Sequence, residues 1–152
     1  MNTKDIGDIG EAVTLAELIK LQISVYLPFG ENSPCDLIAE FNGKLNRIQV
    51  KTSKEVKDGK IVWNLVSSTT KKGSNVNHKY DNTEIDYFAL YNIESNLLLL
   101  FPVDKPRASI TFTYPFVYCK TASSNRNWED YTIDKIIRRV TQTGEEDGLL
   151  NH

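Results

Sequence analysis

Three polar residues near one predicted turn have the types and the spacing of a hydrolytic site. Asn42-Gly43 lies between two runs of alternating residues, and Asn-Gly favours a two-residue type I′ turn because both positions adopt positive φ. Counting outward from this turn places Asp36 opposite Gln49. Since side chains alternate between the two faces of a strand, Lys51 shares the face of Gln49. A carboxylate, an amide and an ammonium therefore converge on one face of a hairpin that spans residues 34–53.

These residue types suit the hydrolysis of a phosphodiester bond. That reaction needs stabilisation of the charge on phosphate oxygens and a nucleophile made from water near neutral pH. A hard divalent cation held by carboxylate and amide oxygens supplies both, and a lysine can orient or deprotonate the attacking water. Spacing alone also permits a half-exposed hairpin whose polar face is simply solvated.

The order of the residue types resembles the PD-(D/E)XK nuclease family. In that pattern an Asp is followed, roughly a dozen residues later, by an acidic or amide residue, an apolar residue and a Lys, with a Glu on an upstream helix. The matching positions are Asp36, Gln49 and Lys51, with Glu11 as the helix acid, and Pro34 stands two residues before the Asp instead of one. The resemblance implies a Mg²⁺ ion, replaceable by Mn²⁺, held by the two acids and the amide, with Lys51 acting on the attacking water.

Gln49 departs from the acidic residue that most of the family carries. Its amide oxygen can still bind a hard metal, but the site holds one negative charge fewer. This puts a two-metal mechanism in doubt more than it puts catalysis in doubt. The same motif, Gln-Val-Lys-Thr at residues 49–52, occurs in some members that this chain resembles.

The elements around the hairpin are expected to position the site. Apolar residues at helical spacing predict a first helix over residues 3–23, which carries Glu11. Gly7 and Gly10 flank this acid, and their small size would let the helix approach the sheet closely. A strand is predicted at residues 24–29, before the hairpin.

Further along the chain, residues 60–69 are apolar on both faces, and we expect them to form a central strand beside the hairpin, after a turn at Asp58-Gly59. An apolar hairpin at residues 84–93 and 97–103 is expected as interior scaffold. Its Asp86 resembles a structural acid of related nucleases. A short strand is predicted at residues 110–114, and a last helix runs from a Thr132 cap through Val140.

Two polar segments have compositions that suit contact with DNA. Residues 67–82 could be a disordered surface loop or a mobile arm on a duplex. In such an arm the lysines would neutralise phosphates, and the amide and imidazole side chains could read base edges. The residues concerned are Lys71, Lys72, Asn75, Asn77, His78 and Lys79. Residues 120–127, with Arg126, could also touch DNA or could be a plain connector.

Length and charge are consistent with one domain that faces a polyanion on one side. The chain has 152 residues, of which 40% are hydrophobic and 25% charged, so we expect a single domain over residues 1–143 and an acidic tail over 144–152. The formal net charge of −2 is not that of a typical nucleic-acid binder. However, residues 42–80 carry a net +7, whereas residues 1–41 carry −5 and residues 81–152 carry −4. A basic segment in the middle of the chain is consistent with a protein surface that faces phosphate groups on one side.

The remaining features indicate a cytoplasmic protein without membrane association. Cys35 and Cys119 have no metal-binding spacing, and we expect inert thiols in a reducing compartment. The N-terminus lacks a positively charged leader with an apolar core, and the longest apolar run, residues 97–101, is too short to span a bilayer.

Together these features predict an α/β fold, with a mixed β-sheet flanked by helices as in restriction endonucleases. The predicted function is that of a site-specific double-strand DNA endonuclease. The whole chain resembles the homing endonucleases of this family that are encoded within group I introns, which implies a homo-oligomer, a dimer of dimers, on a long and partly symmetric site. The apolar hairpin and the last helix are the expected subunit contacts. The alternatives are a restriction or junction-resolving nuclease, or a non-catalytic DNA-binding module in which Gln49 marks a decayed site.

Overall fold

The computed structural model describes residues 1–115 and 126–137. Helix α1 covers Thr3–Lys20, a short 3-10 helix covers Trp128–Tyr131, and residues 133–137 are helical. The strands in the described ranges are β1 Ser24–Tyr26, β2 Leu37–Phe41, β3 Lys44–Ser53, β4 Lys60–Asn64, β5 Val66–Lys71, β6 Ser74–Lys79, β7 Tyr87–Asn92, β8 Leu97–Pro102 and β9 Ser109–Thr113. Across these ranges, no helix combines the length and apolar character that a bilayer crossing requires.

A mixed five-stranded sheet, in the order β1-β2-β3-β7-β8, forms the centre of the fold. The β3–β7 pair is parallel and the other three pairs are antiparallel. Strand β3 is the central strand, between β2 and β7, and its Ile48 and Val50 are buried on the face that α1 covers. The α/β fold class predicted from the sequence is confirmed.

The hairpin of β2 and β3 has the predicted register. Phe41 pairs with Lys44, and Leu37 pairs with Ile48. Asn42 has φ 61° and Gly43 has φ 63°, as a type I′ turn requires. The turn chemistry has therefore fixed which residues face each other across the ladder.

Helix α1 begins at a capping box and lies directly against β3. The Asn2 side chain accepts from the Asp5 N–H at 2.9 Å, and the Asp5 carboxylate accepts from the Asn2 N–H at 3.3 Å. A methyl group added at Gly10 would overlap the Thr52 hydroxyl, so this glycine is required for the close approach. The same expectation is wrong for Gly7, because a Cβ at that position would have nothing within 4 Å.

The predicted central strand at residues 60–69 is wrong. Strand β4 pairs with β9 in a separate two-stranded sheet, with Lys60 opposite Thr113. Only one face of β4 is buried: Ile61 and Trp63 pack in the core, whereas Val62 is 55% exposed. The turn that precedes β4 is the predicted one, since Asp58 and Gly59 both have positive φ.

The polar segment of residues 67–82, for which the sequence left open a disordered surface loop or a mobile arm, contains most of a two-stranded antiparallel ribbon. Strands β5 and β6 are joined by a tight turn in which Lys72 has φ 52° and Gly73 has φ 77°. All six residues of β6 and the last four of β5 are exposed. Hydrophobic patterning does not predict the ribbon, because neither of its faces packs on a core and it therefore lacks apolar alternation.

The apolar hairpin of β7 and β8 is interior scaffold, as predicted. Leu99 and Phe101 pack in the core on one face of the sheet, and Leu100 packs in the core on the other. The expectation that this hairpin supplies subunit contacts stays a prediction; most of its apolar side chains are buried within the chain itself, whereas Leu98 is half-buried and Pro102 is exposed.

Asp86 has a structural role, as its resemblance implied. Its carboxylate accepts from the Arg47 backbone N–H at 2.8 Å and from the guanidinium at 3.0 and 3.2 Å. The guanidinium also donates to the carbonyls of Asn82 and Thr83. This network joins β3 to the segment that enters β7.

Several predictions concern residues near the C-terminus. The last helix, expected over residues 132–140, is described over residues 133–137. Most of the second polar segment, Cys119, the domain boundary after residue 143 and the acidic tail lie outside the described residues.

Candidate active site

The Asp36 carboxylate lies beside β3, one residue before β2 begins. The Asp36 N–H donates to the Ile48 carbonyl at 2.9 Å, which extends the ladder by one bond. Its carboxylate then accepts from the Val50 N–H at 2.8 Å, in place of a further backbone partner. Asp36 is therefore fixed next to the strand that carries Gln49 and Lys51.

Gln49 and Lys51 are half-buried on the face of β3 opposite to α1. In the parallel ladder Gln49 lies opposite Phe88, and Lys51 lies opposite Leu90. The Lys51 ammonium donates to the Val66 carbonyl at 3.1 Å. Within residues 1–115 and 126–137, the Gln49 side-chain amide has no hydrogen-bond partner, so its oxygen is free to bind a ligand.

Glu11 reaches Asp36 from the helix side of the sheet. The two carboxylates line one cleft of about 280 Å³, together with Asp8 and the apolar side chains of Leu27 and Leu37. The structure therefore brings the helix acid to the hairpin acid, as the sequence pattern requires. Glu11 remains exposed, whereas Asp36 is half-buried.

Burial and neighbouring charges shift the pKa values of the two cleft acids and of Lys51, which acts on Asp36 from β3. Burial raises the pKa of Asp36, opposed by the Val50 N–H and by the charge of Lys51. Burial also raises the pKa of Glu11, and the negative charges of Asp36 and Asp8 raise it further. Burial lowers the pKa of Lys51, opposed by the charge of Asp36. Two acids and a lysine with pKa values displaced in this way are typical of a functional site.

The donor set fits a hard divalent cation. Glu11 and Asp36 place negative charge in one cleft, where a cation would relieve their repulsion, and Gln49 on the neighbouring strand β3 carries an amide oxygen of the kind that such a cation accepts. No group of three or more His, Cys, Asp or Glu side chains suited to a metal ion is found among the described residues.

The ribbon presents two chemically different faces. Paired residues of an antiparallel ladder share a face, so Asn75 and Asn77 lie beside Thr70 and Ser68. The Thr70 hydroxyl donates to Asn75 Oδ1 at 3.2 Å, and the Ser68 hydroxyl donates to Asn77 Oδ1 at 2.9 Å. These bonds orient both amides on one exposed face.

His78 lies on the opposite face of the ribbon. Its Nε2 is 2.8 Å from a carboxylate oxygen of Glu84, which lies just beyond the ribbon. The structure therefore separates His78 from Asn75 and Asn77, with which the sequence had grouped it. The lysines Lys71 and Lys72 lie at the tip, and Lys79 lies at the base on the face of the asparagines.

Arg126 lies on the body of the protein rather than on the ribbon. Its guanidinium is 5.9 Å from the centroid of the Phe101 ring. Phe101 pairs with Phe88, which lies opposite Gln49, so Arg126 is on the same side of the sheet as the site.

Tyr80 belongs to the site although its sequence context does not indicate it. Its ring centroid lies 5.5 Å from the Lys51 ammonium, yet the residue lies within the polar segment of residues 67–82 and has no motif around it. A single aromatic at the end of a polar run was the one available signal.

Comparison with known proteins agrees with this geometry. The model of a family described as PD-(D/E)XK endonuclease matches residues 1–134. No curated protein matches the chain. Among solved structures, a bacterial homing endonuclease, I-Ssp6803I, matches with a TM-score of 0.73 at 23% identity, covering 96% of this chain and 97% of its own. At that identity the structural match shows a shared fold.

Proposed function

Because the chain belongs to the PD-(D/E)XK endonuclease family, we propose that it is a site-specific, Mg²⁺-dependent DNA endonuclease in which Mn²⁺ can substitute. The observation that carries this proposal is the convergence of Asp36, Glu11 and Lys51. Two elements that are distant in sequence, α1 and the β2–β3 hairpin, bring the carboxylates of Glu11 and Asp36 to one cleft, and the charge of Lys51 acts on Asp36 from β3. A merely solvated hairpin face does not explain why a helix acid meets them there.

Each residue has a role in the proposed reaction. Asp36, Glu11 and the Gln49 amide oxygen would hold the cation, which supplies charge stabilisation at the phosphate and an acidified water. Lys51 offsets charge on the phosphate oxygens and orients the attacking water. The Val50 N–H fixes the rotation of the Asp36 carboxylate, so one of its oxygens is held in place before substrate binds.

The ribbon is the proposed arm on DNA. A two-stranded β-ribbon fits the major groove of a duplex. Its lysines Lys71, Lys72 and Lys79 would contact phosphates, and the oriented amides of Asn75 and Asn77 would read base edges. His78 is proposed to hold the ribbon through Glu84 rather than to read bases. Arg126 would contact the backbone beside the site.

A double-strand break and a long target both require more than one copy. One site of this kind cleaves one strand, so cutting both strands needs two sites related by symmetry. We therefore include a homo-oligomer, a dimer of dimers, in the proposal, and propose intron homing as its role. The fold, which matches a bacterial homing endonuclease over 96% of this chain, is compatible with this role, and a restriction or junction-resolving enzyme on the same fold is the alternative.

The proposed location is the cytoplasm. The described cysteine, Cys35, is buried and free, which fits a reducing compartment.

A second candidate is a non-catalytic DNA-binding module. Gln49 favours it, because the position carries an acid in most of the family. The two candidates predict different results with DNA, since both bind and only one cuts.

Plasmid cleavage tests the proposal. Purified protein is incubated with a supercoiled plasmid library of random sites in Mg²⁺, in Mn²⁺ and with EDTA, and the termini are sequenced. The endonuclease predicts nicked and linear products at a defined sequence in either metal and intact plasmid in EDTA. DNA that is bound but intact in both metals would support the non-catalytic module.

A further inference from the structure

Both ends of the ribbon meet at the Lys51 ammonium. Val66, the first residue of β5, accepts a hydrogen bond of 3.1 Å from Lys51 Nζ through its carbonyl. Tyr80, which directly follows β6, places its ring centroid 5.5 Å from the same nitrogen. Because Val66 pairs with Lys79 in the ladder, the two contacts come from adjacent strands at the base of the ribbon.

The core holds the Tyr80 ring in this position. Tyr80 is 7% exposed and makes an edge contact with Phe88, with 6.0 Å between ring centroids. Its other neighbour is His78, at 5.1 Å in a similar edge geometry, and His78 is itself bound to Glu84. The ring is therefore fixed between the sheet and the ribbon.

A lysine needs such support to act at one point in space. Its ammonium is a point charge on a flexible four-carbon stem with three donors. The negative face of an aromatic ring attracts the charge without using a donor. Val66 uses one donor, so the others remain for the phosphate or the attacking water.

We propose that Tyr80 is a positioning residue for the nuclease reaction, acting through Lys51: its ring holds the ammonium against the base of the DNA-binding ribbon. The inference rests on the proposed function. It also makes the base of the ribbon a wall of the active site, so that the arm on DNA and the group that acts on phosphate are one structural unit.

The test compares Tyr80→Met, which removes the ring at similar volume, with Tyr80→Phe, which retains it. We expect Tyr80→Met to lower kcat about tenfold, with KM and DNA affinity unchanged, since the substrate is bound by other groups. Tyr80→Phe is expected to match the wild type. Phe112→Met is the matched control, because it removes a buried ring from the same core without touching Lys51.

A spectroscopic readout reports the position of Lys51 independently of activity. With ¹³C-labelled lysine, the ε-CH₂ resonance of Lys51, assigned by its loss in Lys51→Met, should show an upfield ring-current shift in wild type and Tyr80→Phe that is lost in Tyr80→Met. If Tyr80→Met does not fold, Tyr80→Leu is measured in its place.

The outcomes separate the two proposals. Normal kcat in the folded ring-free variant, or an unchanged ε-CH₂ shift, would overturn the role of Tyr80. Equal loss of kcat in Tyr80→Phe would also overturn it, because the hydroxyl and not the ring would then matter. If the wild type cleaves no DNA, the proposed function fails, and the ε-CH₂ shift alone decides whether the ring holds Lys51.

Discussion

The Asp36 carboxylate accepts a hydrogen bond of 2.8 Å from the backbone N–H of Val50, the residue that separates Gln49 from Lys51. Strand β3 thus holds the carboxylate of Asp36, which directly precedes β2. The bond also satisfies the Val50 N–H, a backbone donor that the β2–β3 ladder leaves without a partner where β2 begins. The same hydrogen bond therefore serves the fold and the proposed chemistry.

Replacing this carboxylate separates the two roles. Asp36→Asn keeps an acceptor for the Val50 N–H but removes the charge, so we expect a folded protein whose cleavage rate falls at least about 100-fold. Asp36→Ala also leaves the N–H unpaired and should cost a further about 1–3 kcal/mol of unfolding free energy. Single-turnover cleavage and denaturant unfolding measure the two effects. Wild-type cleavage by Asp36→Asn would remove Asp36 from the mechanism.

The helix glycines offer a matched pair. Gly10→Ala would drive a methyl group into the Thr52 hydroxyl, which should destabilise the fold by about 1–3 kcal/mol and displace Glu11 from the cleft. Gly7→Ala meets open space and should stabilise the helix by about 1 kcal/mol while cleavage is retained. Thermal unfolding and cleavage assays of both variants test this. Equal effects at the two positions would contradict the close packing of α1 on β3.

Acid should weaken the Arg47–Asp86 network. Burial acts to raise the pKa of Asp86, but the Arg47 guanidinium and N–H outweigh it and hold the pKa below its usual range. A depressed folded-state pKa contributes stability above the unfolded value of about 3.9, and this is lost as pH falls through the folded value. Asp86→Asn should therefore be less stable than wild type at pH 7, with a gap that closes below about pH 4. Denaturant unfolding at several pH values measures it, and a gap independent of pH would refute the charge pairing.

The ribbon lysines should bind DNA phosphates. Replacing Lys71 and Lys72 by Gln is expected to weaken binding similarly on all sequences and to reduce the slope of log K against log salt by about 0.9 for each phosphate that is no longer neutralised. Lys20→Gln, at the end of α1 and paired with Glu17, is the matched control and should leave the slope unchanged. Fluorescence anisotropy across a salt series gives the slope. Equal slopes for the wild type, the Lys71 and Lys72 double variant and Lys20→Gln would exclude the ribbon tip from the DNA interface.

Local chemistry explains which parts of the site were predictable. The register that pairs Leu37 with Ile48, and so brings Asp36 beside β3, follows from two turn residues and the alternation of a strand, both of which are readable in the sequence. The α1 helix and its Glu11 follow from helical periodicity and from the family pattern. These features depend on neighbours along the chain.

The features that could not be predicted depend on distant partners. Nothing near β4 specifies that Lys60 pairs with Thr113, so its apolar residues suggested a central strand. The ribbon lacks a buried face, and hydrophobic patterning is the main signal for a strand. Tyr80 meets Lys51 only because the ribbon returns to its own base, an approach that no local pattern encodes.

Cleavage by Lys51→Met tests the proposed nuclease site most directly. The side chain keeps much of its volume and loses its charge and donors, so the hairpin should fold and DNA affinity should be retained. We expect the Mg²⁺-dependent single-turnover rate to fall by about 10²- to 10⁴-fold, with unchanged binding of the uncut site. A Lys51→Met protein that cuts DNA at the wild-type rate would contradict the role of this ammonium in the reaction.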